Sequence, residues 1–183
     1  MRYIKQAKLQ QIKQHIKKGG VIAYATEFCY GLGCDPYNYR AVAKILKIKK
    51  RSKAKGMILI SAQRNFLNRI VKVDINSAEF NDYWPGSYSI VLPVKKCLPQ
   101  NLTGIHDTIA VRVTRHQQVK QLSNYLHMPL VSTSANISGH KAIRNYRDCV
   151  RKFGRSVMVI VGDTNYASKP STIIDWQTRK ILR

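Results

Sequence analysis

The chain has 183 residues, 44% of them apolar, enough for one domain with a core of its own. It carries 32 Lys and Arg against 9 Asp and Glu, a formal net charge of +23, and the excess runs through every third of the sequence rather than forming a detachable tail. No apolar run approaches the roughly 18 residues of a membrane span, and the basic start lacks a signal peptide's apolar stretch, so a cytoplasmic protein with no membrane partner is expected. A field of this size attracts polyanions, nucleic acid foremost; the plainer reading is a solvated basic surface.

Residues 5–18 place Leu9, Ile12 and Ile16 on one helical stripe ringed by lysines, and Gly19-Gly20 ends that helix. Residues 21–25 form a short apolar strand closed by Thr26 and Glu27, and Tyr30-Gly31-Leu32-Gly33 reads as a polar, glycine-containing turn. Asn38 is placed to cap a helix that buries Ala41, Val42, Ile45, Leu46 and Ile48. Between residues 44 and 55, seven of twelve side chains are Lys or Arg and none is acidic, a plausible seat for a polyanion ahead of the strand at 57–60.

Residues 62–83 read as two helical pieces, broken by Trp84-Pro85-Gly86. A strand is expected at 87–91, a surface loop holding Cys97 and Pro99 at 95–103, and an alternating strand at 108–113. In that strand Thr108, Ala110 and Arg112 share one face. An arginine there either reaches solvent from an edge or meets an anion, because burying it unpaired is costly. A helix over 116–127 with Val119, Leu122 and Leu126 inward leads to a short strand at 129–131. Ser132-Thr133-Ser134-Ala135-Asn136-Ile137-Ser138 then forms either a polar cup or simply a turn. Asn145 can cap a helix over 146–153, and strands are expected at 157–161 and 171–175. The irregular alternation of strands and helices predicts one mixed α/β sheet rather than a doubly wound parallel one.

Cys29, Cys34, Cys97 and Cys149 have no zinc-finger spacing, and the five histidines are scattered, so no metal site is expected. The phosphate-binding and dinucleotide glycine signatures are missing, and no Ser/His/Asp set or carboxylate pair points to hydrolysis. No catalytic acid or base is assigned. Chemistry here has to lean on positioning and on cations and hydroxyls.

Four segments, YATEFCYGLGCDP, KIKKRSKAKG, TIAVRV and VSTSANISG, together resemble the YrdC/Sua-type threonylcarbamoyl-AMP synthase family, in that family's order and across nearly all the chain. The usual forms are PTE-x-x-YGLG, a K-x-R segment, an AVR strand and S-x-SAN-x-SG. Ala25 and Ser52 stand where prolines are common, and Ser87 and Ser89 replace the proline and threonine of W-P-G-P-x-T.

The resemblance implies a single YrdC-like domain over 1–183: a twisted mixed sheet flanked by helices. It implies synthesis of L-threonylcarbamoyladenylate and pyrophosphate from L-threonine, bicarbonate and ATP, with Mg²⁺ accompanying ATP. By the same resemblance Thr26, Tyr30, Arg112, Ser132 and Ser171 bind L-threonine. Lys49, Arg51, Lys55, Thr108, Ser134, Asn136 and Arg183 bind ATP. The product passes to a tRNA threonylcarbamoyl-transfer complex that modifies adenosine beside the anticodon, and tRNA or structured RNA suits the basic surface. Two other readings stand beside it: a non-catalytic RNA-binding module of the same fold, and a carbamoyl-adenylate enzyme like the hydrogenase-maturation domain.

Overall fold

The computed structural model describes residues 3–95, 98–165 and 167–183, and Cys97, expected in a surface loop, lies outside them. Eight strands form one mixed sheet: β1 (Ile22–Ala25), β2 (Tyr30–Gly33), β3 (Ile58–Ser61), β4 (Tyr88–Pro93), β5 (Thr108–Val113), β6 (Leu130–Ser134), β7 (Met158–Val159) and β8 (Thr172–Asp175). Their order is β7-β1-β2-β6-β3-β5-β4-β8. The pairs β1–β7, β3–β5 and β4–β8 are parallel, and the others antiparallel.

The two-residue period of the strands sends alternate side chains into two cores. Ala23, Leu32, Leu59, Val111 and Val131 face α2 (Tyr39–Lys49), α3 (Gln100–Thr103) and α5 (Tyr146–Phe153). Ile22, Tyr24, Ile60 and Leu130 face the expected stripe of α1 (Gln6–Lys17), Leu9, Ile12 and Ile16, together with Val119 and Leu122 of α4 (Gln117–Leu126). That second face is helix-covered only over one half of the sheet, which leaves the ends of β6 and β3 and all of β5, β4 and β8 to floor a cavity. Asn38 caps α2 through Ala41 N at 3.0 Å, and Asn145 caps α5 through Asp148 N at 2.9 Å, as their positions predict.

Several expectations are corrected. Tyr30–Gly33 is a strand, not a turn; the turn is Thr26–Cys29, closed by Thr26 N donating to Cys29 O at 3.0 Å. Gly33 is required there because a Cβ would lie 2.5 Å from Val131 O and 2.6 Å from the Tyr24 ring. Residues 62–83 hold only two single 3-10 turns, Arg64–Phe66 and Ala78–Phe80. Asp74 and Ser77 capture the nearby amides of Asn76 and Glu79, a local alternative to helix, while Leu67, Ile70, Ile75 and Phe80 still fill the core. The 95–103 stretch includes α3, whose Asn101, Leu102 and Thr103 are buried rather than at the surface. β6 runs on through Ser134, so three residues of the polar segment are strand residues, and 157–161 shrinks to the two-residue β7.

Candidate active site

Strand register builds the cavity floor. Ser132, Ile58, Ala110, Val91 and Asp175 stand in one row across β6, β3, β5, β4 and β8. In the next row Ile60 opposes Arg112, and Ser89 opposes Ile173. All of these line a cavity of about 580 Å³, walled further by Thr26, Phe28, Cys29 and Gly31 on one side and by Thr108, Ser171 and Arg183 on the other. Of the residues expected to bind L-threonine, Thr26, Arg112, Ser132 and Ser171 meet there; Thr108, Arg51, Ser134 and Arg183 of the ATP set join them.

Arg112 is 7% exposed and held at two points. Its Nε donates to Gly86 O at 2.8 Å, and its Nη2 lies 2.7 Å from Glu27 Oε1. The ion pair is close but poorly aligned: Nη2 has no hydrogen-bond acceptor, and Glu27 Oε2 has no donor. Glu27 Oε1 is oriented by Thr114 Oγ1, which donates to it at 2.6 Å. Burial lowers the Arg112 pKa and Glu27 opposes that shift; an arginine stays charged throughout. Of the two expectations for this strand arginine, the anion is the one met, from within the chain, and Arg112 also lines the cavity.

Hydroxyls cluster around this end. Thr26 Oγ1 donates to Cys29 O at 2.7 Å, which fixes the turn and leaves Thr26 on the cavity wall. Ser171 and Ser89 share a hydrogen bond of 3.0 Å between hydroxyls, and Arg183 Nη2 donates to Ser171 O at 3.1 Å and Oγ at 3.2 Å. Cys29 also lines the wall, but burial pushes its thiol up to about 11, so it is protonated at neutral pH and a poor nucleophile.

A second hollow of about 370 Å³ opens beside the first, lined by Lys49, Lys50, Arg51, Ser52, Lys55, Ser134, Asn136, Ser138 and Gly139. Arg51 and Ser134 line both hollows, which therefore adjoin. Arg51 Nη2 donates to Gly56 O at 2.8 Å, while its buried Nε has no acceptor. Lys49 is only 2% exposed, and its ammonium donates to Ser134 O, to Asn136 O at 2.9 Å and to Asn136 Oδ1 at 2.8 Å. Asn136 Oδ1 also accepts from Ser134 Oγ at 2.7 Å, so Lys49 draws the polar segment after β6 into its loop. Burial, with Arg51 nearby, lowers the Lys49 pKa to about 8. Its oxygen partners are all neutral, which leaves this annex strongly cationic.

Tyr30 is not on the cavity wall, contrary to the role expected for it. Register turns its ring into the core, where its hydroxyl donates to Gly162 O at 2.6 Å and accepts from Gly162 N at 3.1 Å. Lys49, Lys55 and Asn136 lie in the annex rather than the main cavity. Sequence reading missed Ser89, the apolar floor of Ile58, Val91, Ala110 and Ile173, and the acid Asp175. Pairing the alternation of β4, β5 and β8 face by face was the signal that could have found them. Among the described residues, no group of three or more His, Cys, Asp or Glu is arranged to hold a metal ion.

The Sua5/YciO/YrdC family model, described as telomere recombination, matches residues 14–183. The chain belongs to the Sua5/YciO/YrdC family. Family relatives include proteins named threonylcarbamoyl-AMP synthase: that of Chromobacterium violaceum is 42% identical over 176 residues, covering 95% of this chain and 91% of that one. That of Thiobacillus denitrificans is 43% identical over 171 residues, covering 92% and 91%. Among solved family structures, P. abyssi Sua5 complexed with L-threonine superimposes with a TM-score of 0.91 at 29% identity, covering all of this chain and 55% of Sua5. E. coli YciO gives 0.87 at 25% identity, covering 99% and 90%. The chain thus spans about half the length of Sua5 and nine-tenths of the named synthases. No helix among the described residues is long and apolar enough to cross a membrane.

Proposed function

We propose that the protein is an L-threonylcarbamoyladenylate synthase. L-Threonine's amine captures bicarbonate with loss of water, and an oxygen of the resulting carbamate attacks the α-phosphorus of ATP. The bond to the β-phosphate breaks, releasing pyrophosphate. No covalent enzyme intermediate is needed; the protein's contribution is to orient two substrates and to stabilise charge.

The carrying observation is the adjoining pair of hollows: Arg112, Ser132, Thr26 and Ser171 on the walls of one, a cationic annex as the other, and Arg51 and Ser134 lining both. Arg112 suits an α-carboxylate, and the neighbouring hydroxyls suit an alcohol side chain. Arg51, Lys55 and the loop shaped by Lys49 suit a triphosphate, and Thr108 and Arg183 line the main cavity. Mg²⁺ enters with ATP as part of the substrate, and supplies further charge neutralisation on the phosphates. The relatives named threonylcarbamoyl-AMP synthase and the L-threonine complex of Sua5 support the same assignment.

Downstream, the product is handed in the cytoplasm to a complex that modifies adenosine beside the tRNA anticodon, and the +23 surface favours tRNA through its phosphates. Filter binding should show tRNA affinity falling steeply between low and moderate salt; a flat series removes the RNA claim. For the reaction, pyrophosphate release is followed with ATP, bicarbonate and each amino acid in turn. Release dependent on L-threonine is expected. Release with no amino acid, or none with any amino acid, overturns the assignment, and the latter alongside tight RNA binding leaves a non-catalytic RNA-binding module.

A further inference from the structure

Two anion-seeking hollows adjoin, with Arg51 and Ser134 on the walls of both. ATP and pyrophosphate are multiply charged, and an unpaired arginine fork on the floor would hold phosphate as readily as carboxylate. Arg112 is not unpaired. Glu27 lies 2.7 Å from it, and the pair is nearly closed to solvent, with side chains 9% and 13% exposed. Lys49, by contrast, has only neutral oxygens around it.

We infer that Glu27 is a specificity-determining residue: by pairing with buried Arg112 it makes the amino-acid end of the cavity accept a zwitterion and reject phosphate. The inference rests on the amino-acid subsite proposed above. Glu27 offsets the charge of Arg112 that a polyanion would feel, while Arg112 still lines the cavity, where a single α-carboxylate can meet it. A ligand carrying its own ammonium suits this balanced pair; inorganic phosphate, carrying none, does not. The carboxylate is built for the task. Thr114, fully buried, donates to Oε1 at 2.6 Å and is itself pinned by His116 N at 3.0 Å. Oε2 accepts nothing, so its charge is not spent on another donor. In a chain with 9 acids among 183 residues, Glu27 is the one paired with the principal floor cation.

The test is Glu27→Gln, which keeps the size and the acceptor for Thr114 while removing the charge. L-Threonine and inorganic phosphate are titrated calorimetrically, separately and in competition, without ATP, into the wild type, Glu27→Gln and the double variant Glu27→Gln/Arg112→Ala. In Glu27→Gln the phosphate needed to displace L-threonine should fall roughly tenfold, and an additional phosphate equivalent should bind that the double variant loses. A merely structural role for Glu27 predicts a lower melting temperature and weaker binding of both ligands, with no gain in phosphate competition; that result overturns the inference. Should the wild type fail to bind L-threonine, the synthase reading falls by itself. The extra phosphate equivalent, present or absent in Glu27→Gln and dependent on Arg112, then still decides what Glu27 does.

Discussion

Arg112 and Lys49 are both cations buried to within a few per cent of full closure, each beside one of two adjoining hollows, and they are compensated in opposite ways. Arg112 meets a carboxylate that offsets its charge. Lys49 meets two carbonyls and an amide oxygen, all neutral, so its hydrogen bonds are satisfied while its charge is not. On the proposed assignment, the same kind of residue thereby suits different ligands: a zwitterion of zero net charge at one end, a polyphosphate at the other. Charge balance, more than cation count, tells the two subsites apart.

Breaking the neutral end should have the largest effect. Arg112→Ala removes a charge-assisted contact and leaves Glu27 buried without its cation, each a matter of about 2–5 kcal/mol. Steady-state kinetics should show the KM for L-threonine rising at least about 30-fold, with the KM for ATP changed no more than about threefold. Equal losses for both substrates count against the division. Melting temperature should fall as well, because the carboxylate loses the cation it is paired with.

The cationic end should respond next. Lys49→Met strips three oxygens of their donor and should cost about 1–3 kcal/mol of stability in denaturant titrations, with weaker ATP binding and threonine binding little changed. Its pH behaviour is more specific. The Lys49 pKa falls to about 8 from its ordinary 10.5 on burial, so the annex loses this charge as pH rises through about 8. Between the two values the unfolded chain binds the extra proton, so folding stability from this group rises with pH while ATP affinity drops. An ATP-binding profile that bends near pH 8 in the wild type, and stays flat there in Lys49→Arg, meets this expectation; an identical bend in both variants does not.

Smaller effects sharpen the boundary of the site. Tyr30→Phe removes a hydroxyl that bridges Gly162 N and O and should cost about 1 kcal/mol in stability, with the KM for L-threonine unchanged. A selective threonine defect would return Tyr30 to the pocket. Cys29, its thiol pushed up to about 11, should react with iodoacetamide at neutral pH far more slowly than a free thiol, by mass spectrometry of the labelled peptide.

What the sequence disclosed follows the range of the forces involved. The caps at Asn38 and Asn145 and the stripe of Leu9, Ile12 and Ile16 are local, and they appear where spacing puts them. Arg112 on an alternating strand was legible as an arginine in need of an anion. Its partner was not, because Glu27 lies 85 residues upstream and only the register of the sheet brings the two together. Tyr30 shows the same limit: next to Gly31 it reads as part of a turn, yet pairing with Ala25 in β1 turns its ring to the core. The 62–83 stretch fails for another reason. Its apolar spacing is right for burial, but short polar side chains hold the backbone in turns. The basic run at 44–55 disclosed charge density without showing that Lys49 alone of its lysines is sealed inside.

The most direct test is a crystal structure with L-threonine and a non-hydrolysable ATP analogue bound together. The account predicts the α-carboxylate on Arg112, beside its intact pair with Glu27, and the triphosphate across Arg51 and the 134–139 loop held by Lys49. A triphosphate seated on Arg112, or L-threonine bound in the annex, would contradict it.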